Sequence, residues 1–170
     1  MGLMTPNDFP NLRELYTAQL RYLLSAENQI VKGLPKMIEH ADDPQLKQAF
    51  QSHLQETEVH VTRLQRLLGD LINDVDDKKD PILTAIVGSG ENIAKESDAG
   101  PVRDAGLIAT AQKVEHYEMA SYGSARDWAE QLGLPEHAAI LHQTLQEEKH
   151  ADKLLTEISH ETNLTASAAA

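Results

Sequence analysis

Residues 11–44 are NLRELYTAQLRYLLSAENQIVKGLPKMIEHADDP, and this stretch decides the fold class. Its large apolar residues recur at steps of mostly three, four or seven, which is the spacing of one face of an α-helix. The pattern continues past Pro35, so we expect one kinked helix over about 11–40 rather than two short helices. Asp43-Pro44 combines an N-cap residue with a first-turn proline and predicts the start of a second helix.

Proline and glycine divide the rest of the chain in the same way. Apolar stripes with helical spacing predict that the second helix ends near Asp70. A third helix is expected from Gly100-Pro101 to Leu132, and a fourth after Pro135. None of these segments alternates between apolar and polar residues as a strand would, so the chain is predicted to be all-α.

The connection between the second and third long helices is about 30 residues long, and Asp80-Pro81 opens a short helix within it. Short joints predict antiparallel hairpins, whereas a connection of this length can cross a bundle. We therefore predict an all-α, ferritin-like antiparallel four-helix bundle with one long crossover that carries a short extra helix. The bundle is expected over 11–160, after an N-terminal lead (1–10) and before a flexible C-terminal tail (161–170).

The composition of the 170-residue chain limits its chemistry and its partners. There are 27 acidic and 15 basic residues, and the formal net charge of −12 would repel a phosphate backbone, so no nucleic-acid partner is expected. The chain contains no cysteine, so any metal must be held by Glu, Asp or His. No apolar run approaches the roughly 20 residues that span a bilayer, and no signal-peptide core is present. We expect a cytoplasmic protein without a membrane partner.

Three of the long helices carry polar side chains at positions where the apolar stripe predicts leucine or alanine. Glu27 interrupts the stripe of the first helix, and Glu115 and Glu118 both lean inward from the third. Glu147 and His150 lie three residues apart on the fourth helix, so they share one face. Buried carboxylates without partners are strongly disfavoured, so convergence of this kind requires shared protons or cations.

The second helix adds Glu56, with His53 three residues before it and His60 four residues after it. A glutamate from each of two helices and a Glu/His pair from each of the other two is the ligand set of di-iron and di-manganese bundles. We therefore predict two divalent metal ions, Fe or Mn. The predicted metal ligands are Glu27, Glu56, His60, Glu115, Glu118, Glu147 and His150.

Each of these residues has a simpler interpretation when taken alone. Taken alone, Glu56 or Glu118 fits a residue at the boundary of the apolar face, with its carboxylate in water, as well as it fits a metal ligand. His150 alone would more often be a polar boundary residue than a ligand. Tyr122, one turn from Glu118, fits either core packing or a position beside a metal ligand. The prediction of a metal site therefore depends on the whole set.

The two metal ions are expected to differ in affinity. The tighter ion is predicted to be bound mainly by Glu115, Glu147 and His150. The ion near Glu56 and His60 is predicted to bind more weakly, because Glu56 lies about 100° around the helix from the apolar stripe and does not face the core directly.

Several motifs, in order along the chain, resemble the YciE/YciF-like family. They are LLSAENQI (23–30), LPKM (34–37), HLQET (53–57), DAGLI (104–108), QKVEHYE (112–118) and LQEEK (145–149). The resemblance implies a ferritin-like fold distantly similar to rubrerythrins and bacterioferritins. It also implies dimeric assembly and an association with bacterial stress responses.

The EEKHAD run that begins at Glu147 is also similar to the bacterioferritin helix that supplies a glutamate and a histidine to its di-iron centre. This likeness implies metal-binding roles for Glu147 and His150. The second helix departs from the bacterioferritin pattern, because Val59 stands where its histidine would be expected. Either His60 or His53 replaces that histidine, and the choice stays open.

Two functions of different classes follow from this resemblance. The first is a di-iron or di-manganese oxidoreductase that reacts with peroxide or oxygen. The alternative is a non-enzymatic, dimeric structural or stress protein whose site is vestigial or only binds metal. A cage-forming iron store is a weaker third, because nothing in the sequence encodes a large shell.

A homodimer is expected because apolar and aromatic residues extend around more than one face of the first two helices. The residues that suggest an interface there are Leu12, Tyr16, Tyr22, Leu24, Leu67 and Leu71.

Overall fold

The computed structural model describes residues 9–168, and within them every regular element is an α-helix. The helices are α1 (Leu12–His40), α2 (Pro44–Gly69), α3 (Pro81–Glu96), α4 (Pro101–Gln131) and α5 (Pro135–Ala168). The four long helices and the short helix of the connection are therefore confirmed, and α1 continues through Pro35. None of the helices in the described part of the chain combines the length and the apolar character needed to cross a membrane.

The helices begin and end at residues suited to those positions. The Asn11 side chain accepts a hydrogen bond from the Glu14 backbone N–H at 3.0 Å, and Asp43 accepts one from the Leu46 backbone N–H at 3.0 Å. These bonds satisfy N–H groups that have no partner within the helix. Gly133 has a φ of 70°, a left-handed conformation that glycine adopts easily, and it follows Leu132, the C-cap residue of α4.

The contacts between helices give the ferritin-like topology. Helices α1 and α2 form one hairpin and α4 and α5 form the other, while α1 also packs on α4 and α2 on α5. The start of α4 lies at the α1–α2 turn, where the Asp42 and Asp43 backbone N–H groups donate to the Asp104 carboxylate at 2.9 and 2.8 Å. Helix α2 ends at the other end of the bundle, so the connection must travel its length, and α3 packs on α1 and α4 along the way. This confirms the predicted crossover.

Two apolar cores fill the bundle, and a layer of polar side chains separates them. The first core includes Ile30, Leu34, Phe50, Leu107, Ile108, Val114 and Leu155. The second core includes Tyr16, Leu20, Leu23, Leu64, Leu68, Tyr122 and Leu145. On α1, for example, Glu27 lies between Leu24 of the second core and Ile30 of the first. The polar layer is thus at the middle of the bundle, with apolar side chains on both sides.

The N-terminal lead and the C-terminal tail were both predicted to lie outside the bundle, and the structure differs from this prediction at the C-terminal end. Residues 1–8 of the predicted lead lie outside the described residues, and Phe9 and Pro10 precede α1 without regular structure. A flexible tail was expected from residue 161, but α5 continues to Ala168 and the Thr162 side chain is buried. Alanine has the highest helix propensity, so the alanine-rich end extends a helix that the bundle has already started.

The contact between α3 and α4 depends on Gly106. A Cβ atom at Gly106 would lie 2.5 Å from Ile93 Cγ2, whereas a Cβ atom at Gly123, also on α4, would meet no other atom within 4 Å. We expect Gly106→Ala to lower the free energy of unfolding by about 1–3 kcal/mol, because the stiff Ile93 side chain must move. Gly123→Ala should raise the free energy of unfolding by up to about 1 kcal/mol.

Urea denaturation of both variants measures this difference. Equal changes in the free energy of unfolding for Gly106→Ala and Gly123→Ala would show that α3 does not pack closely on α4.

Candidate metal centre

Buried side chains from α1, α2, α4 and α5 form two groups of possible metal ligands within the described residues. The first ligand group is His53, Glu115, Glu118 and Glu148. The second ligand group is Glu27, His60 and Glu148. In each group, one nitrogen or oxygen atom from every side chain lies within 4.8 Å of the others. Because Glu148 belongs to both groups, the two possible metal positions are neighbours.

The first ligand group contains carboxylate oxygens that no described residue satisfies. His53 Nε2 lies 3.4 Å from Glu115 Oε1, but Glu115 Oε2 and both Glu118 oxygens have no hydrogen-bond partner among the described residues. Burial raises the pKa of Glu115 well above its usual range, and the nearby Glu148 raises it further. Burial likewise raises the pKa of Glu118 well above its usual range, and the charge of Glu27 adds to the effect. Burial thus favours the protonated forms of Glu115 and Glu118 when no cation is bound.

The second ligand group is arranged around the imidazole of His60. His60 Nδ1 lies 3.0 Å from Glu148 Oε1 and 3.5 Å from Glu27 Oε1. Burial alone would lower the pKa of His60, but its contacts with Glu148 and Glu27 outweigh burial and raise it to about 11. Burial opposes ionisation of Glu148, yet its close contact with the His60 imidazole holds its pKa below the usual value. Without a metal, the charged imidazole thus takes the place of a cation.

Glu147 supports His60 from the outer side of the bundle. His60 Nε2 lies 2.9 Å from Glu147 Oε2, and Arg63 donates to both oxygens of the same carboxylate. Burial would raise the pKa of Glu147, but the hydrogen bonds from Arg63 and His60 lower it to about 2. A carboxylate that accepts from one imidazole nitrogen leaves the other nitrogen free to face a metal, as in many histidine metal sites.

Tyr122 makes the corresponding contact with Glu27. Its hydroxyl donates a hydrogen bond to Glu27 Oε1, and Glu27 Oε2 has no partner among the described residues. The sequence-based alternative that Tyr122 stands beside a possible metal ligand therefore agrees with the structure.

The donor set fits a pair of divalent metal ions. Carboxylate oxygens and imidazole nitrogens are common ligands of iron, manganese and zinc. The two groups together contain four glutamates and two histidines, so four ionised carboxylates would balance the charge of two divalent cations. The same cations would satisfy the buried oxygens of Glu118 and Glu148 that have no hydrogen-bond partner in the described part of the chain.

The structure brings four of the seven predicted ligands into the two groups. Those four are Glu27, His60, Glu115 and Glu118. The other three lie outside: the Glu56 side chain is 44% exposed, the Glu147 side chain is 28% exposed, and His150 is exposed. Glu56 still approaches His53, with its Oε2 4.0 Å from His53 Nδ1.

The predicted register of α5 is corrected by one residue. The prediction aligned Glu147 and His150 with Ala151, Leu154 and Ile158. Of these three, Ile158 is buried, but Ala151 and Leu154 are only partly buried. The buried stripe instead passes through Leu141, Leu145, Glu148, Leu155 and Ile158, with steps of three, four and seven. Glu148 therefore points inward. The spacing of the buried leucines was the signal in the sequence that could have identified it.

The structure places both His53 and His60 among the possible ligands. The two residues are seven apart, about two helical turns, so both lie on the buried face of α2. His53 joins the first ligand group and His60 joins the second. Helix α2 thus contributes two histidines, and its Glu56 belongs to neither group.

Comparisons with known proteins agree with this fold. A family model described as "Domain of unknown function (DUF892)" matches residues 11–169. Protein YciF of Escherichia coli (strain K12) is 35% identical over 149 residues, which cover 87% of this chain and 90% of YciF.

Solved structures of similar proteins cover nearly the same part of the chain. The crystal structure of the E. coli stress protein YciF has a TM-score of 0.86 and 34% identity, and covers 91% of this chain and 98% of that one. YcfI of Rhodopseudomonas palustris, provisionally described as a structural protein, has a TM-score of 0.86 and 36% identity, with coverages of 90% and 98%. The chain therefore belongs to the YciE/YciF-like family, whose matching family model is described as a domain of unknown function.

Proposed function

We propose that this protein binds two divalent redox metal ions, Fe or Mn, in its polar layer and reacts there with peroxide or oxygen. The observation that carries the proposal is the set of buried carboxylate oxygens without hydrogen-bond partners in the described structure, above all the two oxygens of Glu118. A protein interior rarely leaves so many polar atoms unsatisfied without a functional reason. Two cations that share Glu148 would satisfy them.

Each residue of the two groups has a distinct role in this proposal. Glu148 would help to hold both metal ions, and His53 and His60 would each help to hold one. Tyr122 orients Glu27 through its hydroxyl, and apolar side chains of the two cores lie on both sides of the site. The metal ions, when bound, supply the change of oxidation state that reduction of peroxide or oxygen requires.

The setting proposed for this activity is a bacterial stress response in the cytoplasm. It draws support from the relative YciF, which is described as a stress protein. A low-molecular-weight oxidant fits an enclosed site between four helices, since only a small molecule can reach it.

The second candidate is a structural protein whose site needs no metal. It is favoured by the charge balance of the polar layer itself, in which the His60 imidazole lies between the Glu27 and Glu148 carboxylates. The R. palustris relative, provisionally described as structural, points in the same direction.

Metal analysis of protein purified from unsupplemented cells, combined with a peroxide-consumption assay, separates the two candidates. Two redox metal ions per chain and rapid peroxide loss, absent in a Glu118→Gln variant, would support the oxidoreductase. A folded, metal-free protein that takes up no iron or manganese when these are added would support the structural protein.

The ligand roles predicted for Glu56, Glu147 and His150 stay untested. Our proposal gives Glu147 a positioning role through His60, and gives Glu56 and His150 no contact with the metals. We expect Glu147→Ala to weaken metal binding at the second ligand group by about 10–100-fold, because the His60 ring loses the carboxylate that orients it.

Competition with a chromophoric chelator measures both metal-binding constants of the Glu147→Ala variant. Glu161→Ala, an exposed glutamate on the same helix, is the control and should leave both constants unchanged. An unchanged second constant in Glu147→Ala would show that this carboxylate does not position His60.

The homodimer also stays a prediction, and the residues that suggested it need revision. Tyr16, Leu24 and Leu67 are buried within the chain and are not available for an interface. Leu12, Tyr22 and Leu71 are half-buried and still fit one. Light scattering at tens of micromolar, a concentration well above typical interface dissociation constants, tests the dimer.

A further inference from the structure

A cavity of about 430 Å³ lies inside the first core, next to the first ligand group. All five helices contribute to its wall, which is mostly apolar and includes Phe50 and Leu155. His53 and Glu115 of the first ligand group form part of the same wall. The apolar cavity is thus directly adjacent to the first of the two possible metal positions.

Several small residues line this cavity. They are Gly33, Ala49, Ala111 and Ala151, which leave space that a larger apolar residue would fill. Protein interiors are normally packed with few voids larger than a water molecule, and apolar voids lower stability. An apolar cavity of this size is in the range of small-molecule sites and takes up apolar molecules in preference to water.

One rim of the cavity, between α1 and α3, carries two lysines and one glutamate. Lys36 on α1 and Lys95 on α3 are largely exposed there, with side chains 62% and 71% exposed. Glu91 lies between them, 2.7 Å from Lys36 Nζ and 4.0 Å from Lys95 Nζ. These three side chains leave one positive charge in excess, which suits an anionic group between α1 and α3. Glu56, another partly exposed carboxylate of the wall, lies instead beside His53.

We infer that the cavity binds an aliphatic carboxylic acid of medium chain length, with the hydrocarbon chain inside and the carboxylate at the Lys36–Lys95 rim. The chain would end beside His53 and Glu115. Binding itself is independent of the metal, whereas a role for the bound acid as a substrate of the metal centre rests on the function proposed above.

Calorimetric titration of the metal-free protein with hexanoate, octanoate, decanoate and dodecanoate tests the binding. Each added methylene that enters the cavity should tighten binding by about fourfold, the equivalent of about 0.8 kcal/mol, until the cavity is full. Decanol, which has no charge, should bind more weakly than decanoate. No saturable binding of any acid would overturn the inference, and equal binding of decanol and decanoate would overturn the placement of the carboxylate.

Variants that fill the cavity distinguish it from binding elsewhere on the surface. Ala111→Leu and Ala151→Leu should each weaken decanoate binding by at least about tenfold, since the new side chain occupies several methylenes of the space. Ala120 is exposed on α4, so the Ala120→Leu variant is the control and should bind decanoate as tightly as the wild type does. Thermal melting by circular dichroism checks that each variant is folded. Decanoate binding that is unchanged in both folded cavity variants would contradict the inference.

A parallel titration with Co²⁺ separates this inference from the proposed function. In protein that binds Co²⁺, decanoate should shift the visible absorption of the metal, because the chain ends at the first ligand group. Decanoate binding without any Co²⁺ binding would refute the proposed metal site but would support the inference that the cavity binds a carboxylic acid. Co²⁺ binding without decanoate binding would refute the cavity ligand alone.

Discussion

The Glu148→Gln variant is expected to bind both metal ions more than about 100-fold more weakly than the wild type. Glu148 is the residue that the two ligand groups share, so its loss removes an anionic donor from both metal positions. Loss of a direct ligand should exceed the 10–100-fold effect of losing a residue that only orients a ligand. Glutamine keeps the size of the side chain but removes its charge, so the fold should be retained.

His150→Ala is the matched variant for this experiment, because His150 is exposed two residues further along α5. It should retain both metal ions. Elemental analysis of both variants after loading with Mn²⁺ measures the difference. Metal loss in His150→Ala with full occupancy in Glu148→Gln would favour the α5 register predicted from the sequence over the register in the structure.

Glu118→Met is expected to stabilise the metal-free protein by about 1–4 kcal/mol. The Glu118 side chain is fully buried, and neither of its oxygens has a hydrogen-bond partner among the described residues. Burying a carboxyl group without partners is unfavourable in either protonation state, whereas methionine has a similar size and an apolar surface. The same change should abolish metal binding at the first ligand group.

Urea denaturation in the presence of a chelator measures the stability of this variant. Glu58→Met, an exposed position on α2, is the control and should change the free energy of unfolding by no more than about 0.5 kcal/mol. A Glu118→Met variant less stable than the metal-free wild type would mean that Glu118 stabilises the fold. The structural candidate would then be preferred, since a functional residue is expected to cost stability.

The helices could be predicted from the sequence because their signals are local. Asp43-Pro44 and Asp80-Pro81 each combine a capping side chain with a proline in the first turn, and the structure begins helices at both places. The crossover followed from the length of the connection. Neither inference needed knowledge of which helices pack together.

The ligand set was harder to predict, because adjacent residues on a helix point about 100° apart and the inward direction depends on the neighbouring helices. Glu147 and Glu148 have the same chemistry, and the register of the leucine stripe that packs on α2 and α4 distinguishes them. Glu147 is held outward by Arg63, a contact between α5 and α2 that no local pattern reveals.

The apolar residues assigned to a dimer interface show the same limitation. Tyr16 was counted as surplus apolar surface on α1, but its hydroxyl lies 3.0 Å from His137 Nδ1 at the start of α5. A periodic stripe indicates that a face is covered, but it does not show whether the same chain covers it.

Anomalous X-ray diffraction from crystals of the Mn²⁺-loaded protein tests the central claim most directly, because it locates each bound ion. Our account predicts two peaks within the polar layer. One peak should be bound by His53, Glu115 and Glu118, the other by Glu27 and His60, and both should contact Glu148. The absence of any peak in this layer, or a single peak bound by Glu147 and His150, would contradict it.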